Sequence, residues 1–461
     1  MTFASVDFIV FFTVVLGITA TIERRLSLKW KEVFFLLASY FFYGYWDWRF
    51  CFLLVFVTVV SYFAAKASHN KLAFTIGIIV PLVVLGIFKY FNFFLSSAAV
   101  IIGSDIGALK IILPVGISFY TFQALSYVID VHRGKIAVEN DFIKLALYIS
   151  FFPQLVAGPI VRAADFLPQL RQDRRITIEN IKIGVQIFVF GLFKKIVLAD
   201  HLSVFVDDVF SKPVAFHWAT ILLAVVSYSI QIYFDFSGYS DMAIGCAKCL
   251  GYDFNRNFNL PYISQSVTEF WRRWHISLST WLKEYLYIPL GGNRKSTSRR
   301  YVNLFLTMLL GGLWHGADWT FVFWGGLNGL ALCVNKLLPD KKKSIISQVL
   351  GVIGIFCFIS FTWIFFRAES FPVAWAVIKG IATFQNGIRQ PFSWSFVAIA
   401  ILLISTICAV IKNNKDFRET DGYYPTLNLN SIVGLTIFFV MIGLILGLAY
   451  TGNNPFVYFQ F

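Results

Sequence analysis

Apolar runs close to the thickness of a lipid bilayer recur along this chain, and they constrain its fold more than any other feature. A spanning helix needs about 20 apolar residues. Windows that meet or approach that length are Ser5 to Ile22, Phe50 to Ala65, Phe74 to Phe91, Leu113 to Val131 and Ile183 to Leu198. Further along come Trp218 to Phe234, Phe305 to Trp324, Ile345 to Trp363, Val397 to Ile411 and Ile432 to Tyr450. Backbone in hydrocarbon must satisfy its own hydrogen bonds, and for runs of this kind the helix does so. The sequence therefore predicts an all-α, polytopic membrane protein with about 11 to 14 membrane segments, some of them re-entrant. Only 14% of the 461 residues are charged, against roughly a quarter in a soluble domain. The 52 phenylalanines exceed what a soluble fold could readily bury.

No soluble domain can be cut out, so residues 1–461 read as one integral membrane domain. The first apolar run has no basic residue before it and no small-residue cleavage site, and Glu23-Arg24-Arg25 follows it. It reads as a retained helix whose end faces the cytoplasm. The net charge of +14 would suggest nucleic acid in a soluble protein. Here the basic residues lie in short connections: Arg162 to Arg175, Arg294 to Arg300 and Lys341 to Lys343. Cytoplasmic loops facing anionic lipid explain them without nucleic acid; an anionic cosubstrate such as a nucleotide-bearing thioester is a second reading. The six cysteines sit mostly in apolar runs, and Cys246-x-x-Cys249 lacks the second pair or nearby histidine of a metal site. No metal is expected. From Pro114 to Gly329 the apolar runs are seeded with polar and helix-breaking residues, as in Pro114 to Phe119, Phe152-Pro153-Gln154 and Asp235 to Asp241. Irregular backbone at membrane depth survives only around protein or a water-filled cavity, so these segments are expected to line a central cavity.

Two Trp-His pairs stand out in that middle region, at Trp274-His275 and Trp314-His315. His315 lies among apolar neighbours and glycines. A buried imidazole tends to stay neutral, which suits a general base; a packing role is the alternative, and intramembrane ionisable groups favour function. Val267 to Tyr285, drawn as one helix, places Trp271, Trp274, Leu278, Trp281 and Leu282 on a broad apolar face, with His275 one residue from it. On the residues alone, His275 reads first as an interfacial hydrogen-bonder, the other reading being a re-entrant path that brings it to His315. Asp235 and Asp241 could bracket a turn, with Asp241 capping the next helix or either one pairing with an arginine; catalysis is the lesser reading. Phosphate-binding loops and the serine-hydrolase elbow are missing. The last six residues, Phe456-Val457-Tyr458-Phe459-Gln460-Phe461, are nearly all aromatic, whereas a chain end is ordinarily polar and frayed. They read as an aromatic belt anchor or as a tail that delivers Tyr458 into the cavity.

The runs Pro261 to Ser266, Trp271 to His275, Tyr287 to Arg294 and Leu313 to Gly316 together resemble the membrane-bound O-acyltransferase family. The likeness is greatest to the bacterial branch that O-acetylates cell-envelope polysaccharides. Asp235 to Asp241 and Leu113 to Phe119 fit as well. The resemblance covers roughly Glu32 to Asn328; the helices of 345–450 are generic, and 456–461 fits the branch's aromatic hexapeptide.

Several expectations follow from the resemblance. It implies a helical core with a central funnel, a bacterial inner-membrane location, and acetyl-CoA as donor substrate with no permanently bound cofactor. It implies His315 as the catalytic histidine, His275 in support, and Tyr458 as carrier of the acyl group. Trp314, Arg272 and Arg273 are candidates to contact the donor. A periplasmic partner protein and a polysaccharide acceptor are implied, with peptidoglycan favoured over alginate for so compact a chain. The competing readings are a transporter of the acetyl donor and a lipid acyltransferase.

Overall fold

The computed structural model describes residues 1–22, 27–103, 107, 109–156, 158–337, 344–412, 427–452 and 456. Among these, every extended regular element is helical, and strand-like pairing is confined to an isolated bridge between Phe216 and Ile388. Among the described residues, four helices are long and apolar enough to cross a membrane: Arg49–Lys66, Lys71–Ile102, Trp218–Cys249 and Ile345–Arg367. Val6–Thr21, Phe371–Ala382, Ser393–Ser405 and Ile432–Leu448 are shorter apolar helices. Other apolar windows are interrupted. The window Phe305 to Trp324 breaks after His315 into the helices Thr297–His315 and Trp319–Leu337. The window Ile183 to Leu198 runs into a π-helical segment, Phe193–Ala199, that carries two lysines.

The chain packs as two compact units. The first comprises Met1–Phe188 with Ser240–Asn255. Its helices start where side chains satisfy the orphan amides of the first turn: Asn70 Oδ1 accepts from the Leu72 amide at 2.8 Å, and Asp141 Oδ1 from the Ile143 amide at 2.9 Å. An aromatic cluster fills its core, with Phe166 5.1 Å from Phe151 and 5.3 Å from Tyr252 between ring centroids. Cys249 belongs to this packing. A Cβ placed on Gly184 would come 2.5 Å from its sulfur and 2.6 Å from the Gly245 carbonyl oxygen, so the small sulfhydryl side chain and the glycines together let two helices cross.

The second unit comprises Val189–Tyr239 with Arg256–Phe461. Hydroxyl pairs tie its helices together, a bond type suited to apolar surroundings. Ser229 lies 2.9 Å from Ser360 and Ser227 2.8 Å from Ser395, oxygen to oxygen. The hairpin of Thr297–His315 and Trp319–Leu337 closes on glycine. A Cβ on Gly312 would sit 2.3 Å from the Phe321 carbonyl oxygen, and one on Gly325 2.4 Å from that of Met308. Backbone occupies both positions, so neither can absorb a methyl group by a rotamer change. Gly325→Ala is therefore expected to destabilise by about 1–3 kcal/mol, the usual cost of overpacking. Thermal unfolding of detergent-purified protein measures it, and an unchanged midpoint would show that the hairpin can spread.

The stretch Asp235 to Asp241 does not form the expected turn. It lies inside one continuous helix, Trp218–Cys249. The reason is packing: a Cβ at Gly238 would meet the Gly191 carbonyl oxygen at 2.6 Å. In a membrane helix, glycine and serine serve close helix contact rather than breakage.

Candidate active site

The site is built in the second unit from a broken helix. Val267–Arg273 begins at Ser266, whose Oγ accepts from the Glu269 amide at 3.1 Å, while Glu269 reaches back to the Gln265 amide at 2.9 Å. This Ser-x-x-Glu arrangement fixes the helix start. The helix does not run on to Tyr285 as drawn from the sequence. Trp274 is extended, His275 is left-handed with φ 43° and ψ 55°, and a new helix covers Ile276–Leu282. A non-glycine residue in this conformation is uncommon, though histidine is among the more tolerant types. Held backbone strain of this kind clusters at functional sites.

Asn257 holds the break. Its carbonyl oxygen accepts from the Ile276 amide at 2.8 Å. Its side-chain Oδ1 accepts from the Ser277 amide at 3.2 Å and from the Ser277 hydroxyl at 2.9 Å. The same Oδ1 lies 3.1 Å from His275 Nδ1. A backbone N–H can only donate, so the atom facing Ser277 is the amide oxygen, and His275 Nδ1 must carry the hydrogen that points at it. Nε2 is then the basic nitrogen of the neutral ring. Asn257 was missed in the sequence, where it lies in a polar stretch with nothing to mark it.

His275 is fully buried and His315 is 4% exposed. Forty residues apart in sequence, their ring centroids are 6.3 Å apart. Aromatic rings wall the site. His315 meets Trp314 at 5.0 Å, Trp324 at 5.2 Å and Phe366 at 5.4 Å, and His275 meets the edge or face of Phe236 at 4.6 Å. Trp314 also lies 6.1 Å from His275, so it touches both histidines. Such walls exclude water, which strengthens electrostatic interactions inside them.

The other candidates divide. Arg273 is engaged locally, 3.0 Å from Glu269 Oε1 and donating to the Asn259 carbonyl at 3.2 Å. Arg272 is exposed. Asp235 is buried at 1% exposure and pairs with Lys195 Nζ at 2.8 Å; the same ammonium lies 2.8 Å from Asp200. The expected partner was an arginine, and the sequence did carry the better signal: Lys194-Lys195 interrupt an apolar window. Among the described residues no group of three His, Cys, Asp or Glu side chains could hold a metal ion.

Tyr458 lies outside the described residues. Phe456, two positions before it, is buried at 1% exposure. Its ring stacks on Tyr239 at 4.2 Å and leans on Phe236 at 5.7 Å. Phe236 is the ring that touches His275.

Residues 35–340 match the model of the membrane-bound O-acyltransferase family, and the chain belongs to that family. It is 42% identical to the probable alginate O-acetylase AlgI of Pseudomonas aeruginosa over 77% of this chain and 70% of the relative. To the protein of that name from Pseudomonas putida it is 37% identical, over 94% of this chain and 95% of the relative. It is 39% identical to the peptidoglycan O-acetyltransferase of Helicobacter pylori, over 76% of this chain and 73% of the relative.

Proposed function

We propose that this chain transfers acetyl groups from acetyl-CoA to a cell-envelope polysaccharide from the bacterial inner membrane, with His315 as general base and Tyr458 as acetyl carrier. The observation that carries this reading is the enclosed pair His275 and His315, with Phe456 packed one ring away from it. Tyr458 follows Phe456 by two positions in the sequence. The relatives named for alginate and for peptidoglycan supply the acceptor class, a sugar hydroxyl. Peptidoglycan is the first acceptor to test and an alginate-like polymer the second.

In the proposed reaction His315 takes the phenolic proton of Tyr458, whose ordinary pKa of about 10 makes a base necessary near neutral pH. The phenolate oxygen bonds to the thioester carbonyl carbon, the C–S bond breaks, and the coenzyme A thiolate leaves with the proton from His315. The phenyl ester left on Tyr458 is an activated acyl donor. An acceptor hydroxyl, presented directly or by a periplasmic partner protein, displaces it, forms the acetyl ester and returns the proton to the tyrosine oxygen. His275, its Nδ1 hydrogen directed at Asn257, offers Nε2 to position the donor or hold a proton in transit. Trp314 and the exposed Arg272 would contact the donor.

Mass spectrometry of the protein incubated with acetyl-CoA is expected to find acetyl on Tyr458. Tyr458→Phe is expected to abolish both that mark and polysaccharide acetylation while membrane insertion is kept. Full acetylation of the polysaccharide by the phenylalanine variant would remove the relay.

A further inference from the structure

The segment that leads to Tyr458 is attached at two places. At the first, the Tyr450 amide donates to the Ile196 carbonyl at 2.9 Å, and the Tyr450 ring packs on His201 at 5.4 Å. Ile196 belongs to the π-helical stretch Phe193–Ala199. Such widened turns are rare and favour functional places. At the second, Phe456 is sunk into a cradle formed by Tyr239 and Phe236. These two residues are three apart on the Trp218–Cys249 helix and so share a face. Asp235, next to Phe236, is bonded to Lys195, next to Ile196. One buried ion pair therefore ties together the two elements that hold the segment.

The two attachments differ in what they can do. The first attachment is a backbone bond backed by an edge contact of the Tyr450 ring on His201. The Phe456 contact is a parallel ring stack, at 4.2 Å and 29° on Tyr239, and it needs a flat aromatic side chain at one position of the chain. Resting on the relay reading above, we propose that Phe456 is a positioning residue. Its ring occupies a built aromatic site and thereby sets the register at which Tyr458 is presented to the histidine pair. Belt anchoring at a membrane interface would need no such register. It would not place the ring at 1% exposure against the residue that touches His275.

The test uses the full-length protein in detergent with acetyl-CoA, reading acetyl on Tyr458 by mass spectrometry and the thermal midpoint in parallel. Phe456→Ala is expected to slow acetylation of Tyr458 by about tenfold, the scale of one lost aromatic stack. Phe456→Tyr should restore it and Phe456→Leu should not. A pair of insertions separates register from stability. One glycine placed directly after Phe456 should abolish acetylation of Tyr458. One glycine placed directly after Thr451, between the two attachments, should be tolerated. Equal effects of the two insertions, or normal acetylation in Phe456→Ala, would overturn the anchor and leave the relay standing. If Phe456→Ala does not fold, the insertion pair decides. Polysaccharide acetylation that survives Tyr458→Phe would instead remove the relay, and the anchor with it.

Discussion

His315→Asn is expected to lower acetyl transfer by about 10²–10⁴-fold, the range that a positioned general base contributes. The side chain lies inside a wall of Trp314, Trp324 and Phe366. Water has little access there to serve as a substitute base. Asparagine comes close to the imidazole in size and polarity, so the wall keeps its contents while the basic nitrogen is lost. The thermal midpoint should therefore move little, and the rate should fall. Initial rates of acetyl transfer in purified protein measure the effect. Retention of more than about a tenth of the wild-type rate, far outside the range for a general base, would sink the assignment. The same substitution at His275 should be milder. Asparagine tolerates the left-handed backbone found there, and its amide can still donate to Asn257. A larger loss at position 275 than at 315 would reverse the two roles.

Lys195→Met is expected to destabilise the protein by about 3–5 kcal/mol, because removing one partner of a buried ion pair leaves charge uncompensated. Lys195 is 3% exposed, Asp200 6% and Asp235 1%, and both carboxylates lie 2.8 Å from the ammonium. Methionine keeps the length of the lysine stem and removes only its charge and hydrogen bonds, so the loss can be read as electrostatic. Neutralising the partners should restore much of it. The triple variant Lys195→Met, Asp200→Asn, Asp235→Asn is expected to unfold at a higher temperature than Lys195→Met alone, since replacing a buried ionic group by uncharged residues is often near neutral. Thermal midpoints of both proteins in the same detergent test this. A triple variant less stable than the single one would mean that the carboxylates do other work. Acetylation of Tyr458 should also fall in the triple variant, since the ion pair joins the two elements that hold the tail.

Parts of this picture were legible in the sequence for definite reasons. The membrane class follows from run length and from a shortage of charge, which are additive along the chain and need no knowledge of contacts. His315 was legible because a histidine among glycines and tryptophans is costly in hydrocarbon and must be accounted for.

Other features were not legible because their cause lies far away in sequence. The helix through His275 looks continuous from its periodicity. It breaks because Asn257, 18 residues upstream, supplies acceptors that favour a left-handed turn. The stretch Asp235 to Asp241 looks like a turn from its glycine and serines. It stays helical because Gly191 comes close enough to require small residues. The lysines that interrupt an apolar window marked a buried cation, but nothing local tied it to Asp235, 40 residues away.

The sequence by itself determined that this chain is helical, lives in a membrane and carries two histidines and a tyrosine worth explaining. Periodicity, hydrophobicity and residue chemistry are local properties, and they are written in order along the chain. The tertiary structure alone decided that the two histidine rings lie 6.3 Å apart, that Asn257 sets the tautomer of one, and that Phe456 packs on the ring that touches His275. Those are distances between residues remote in sequence, fixed only when close packing chooses one arrangement of helices.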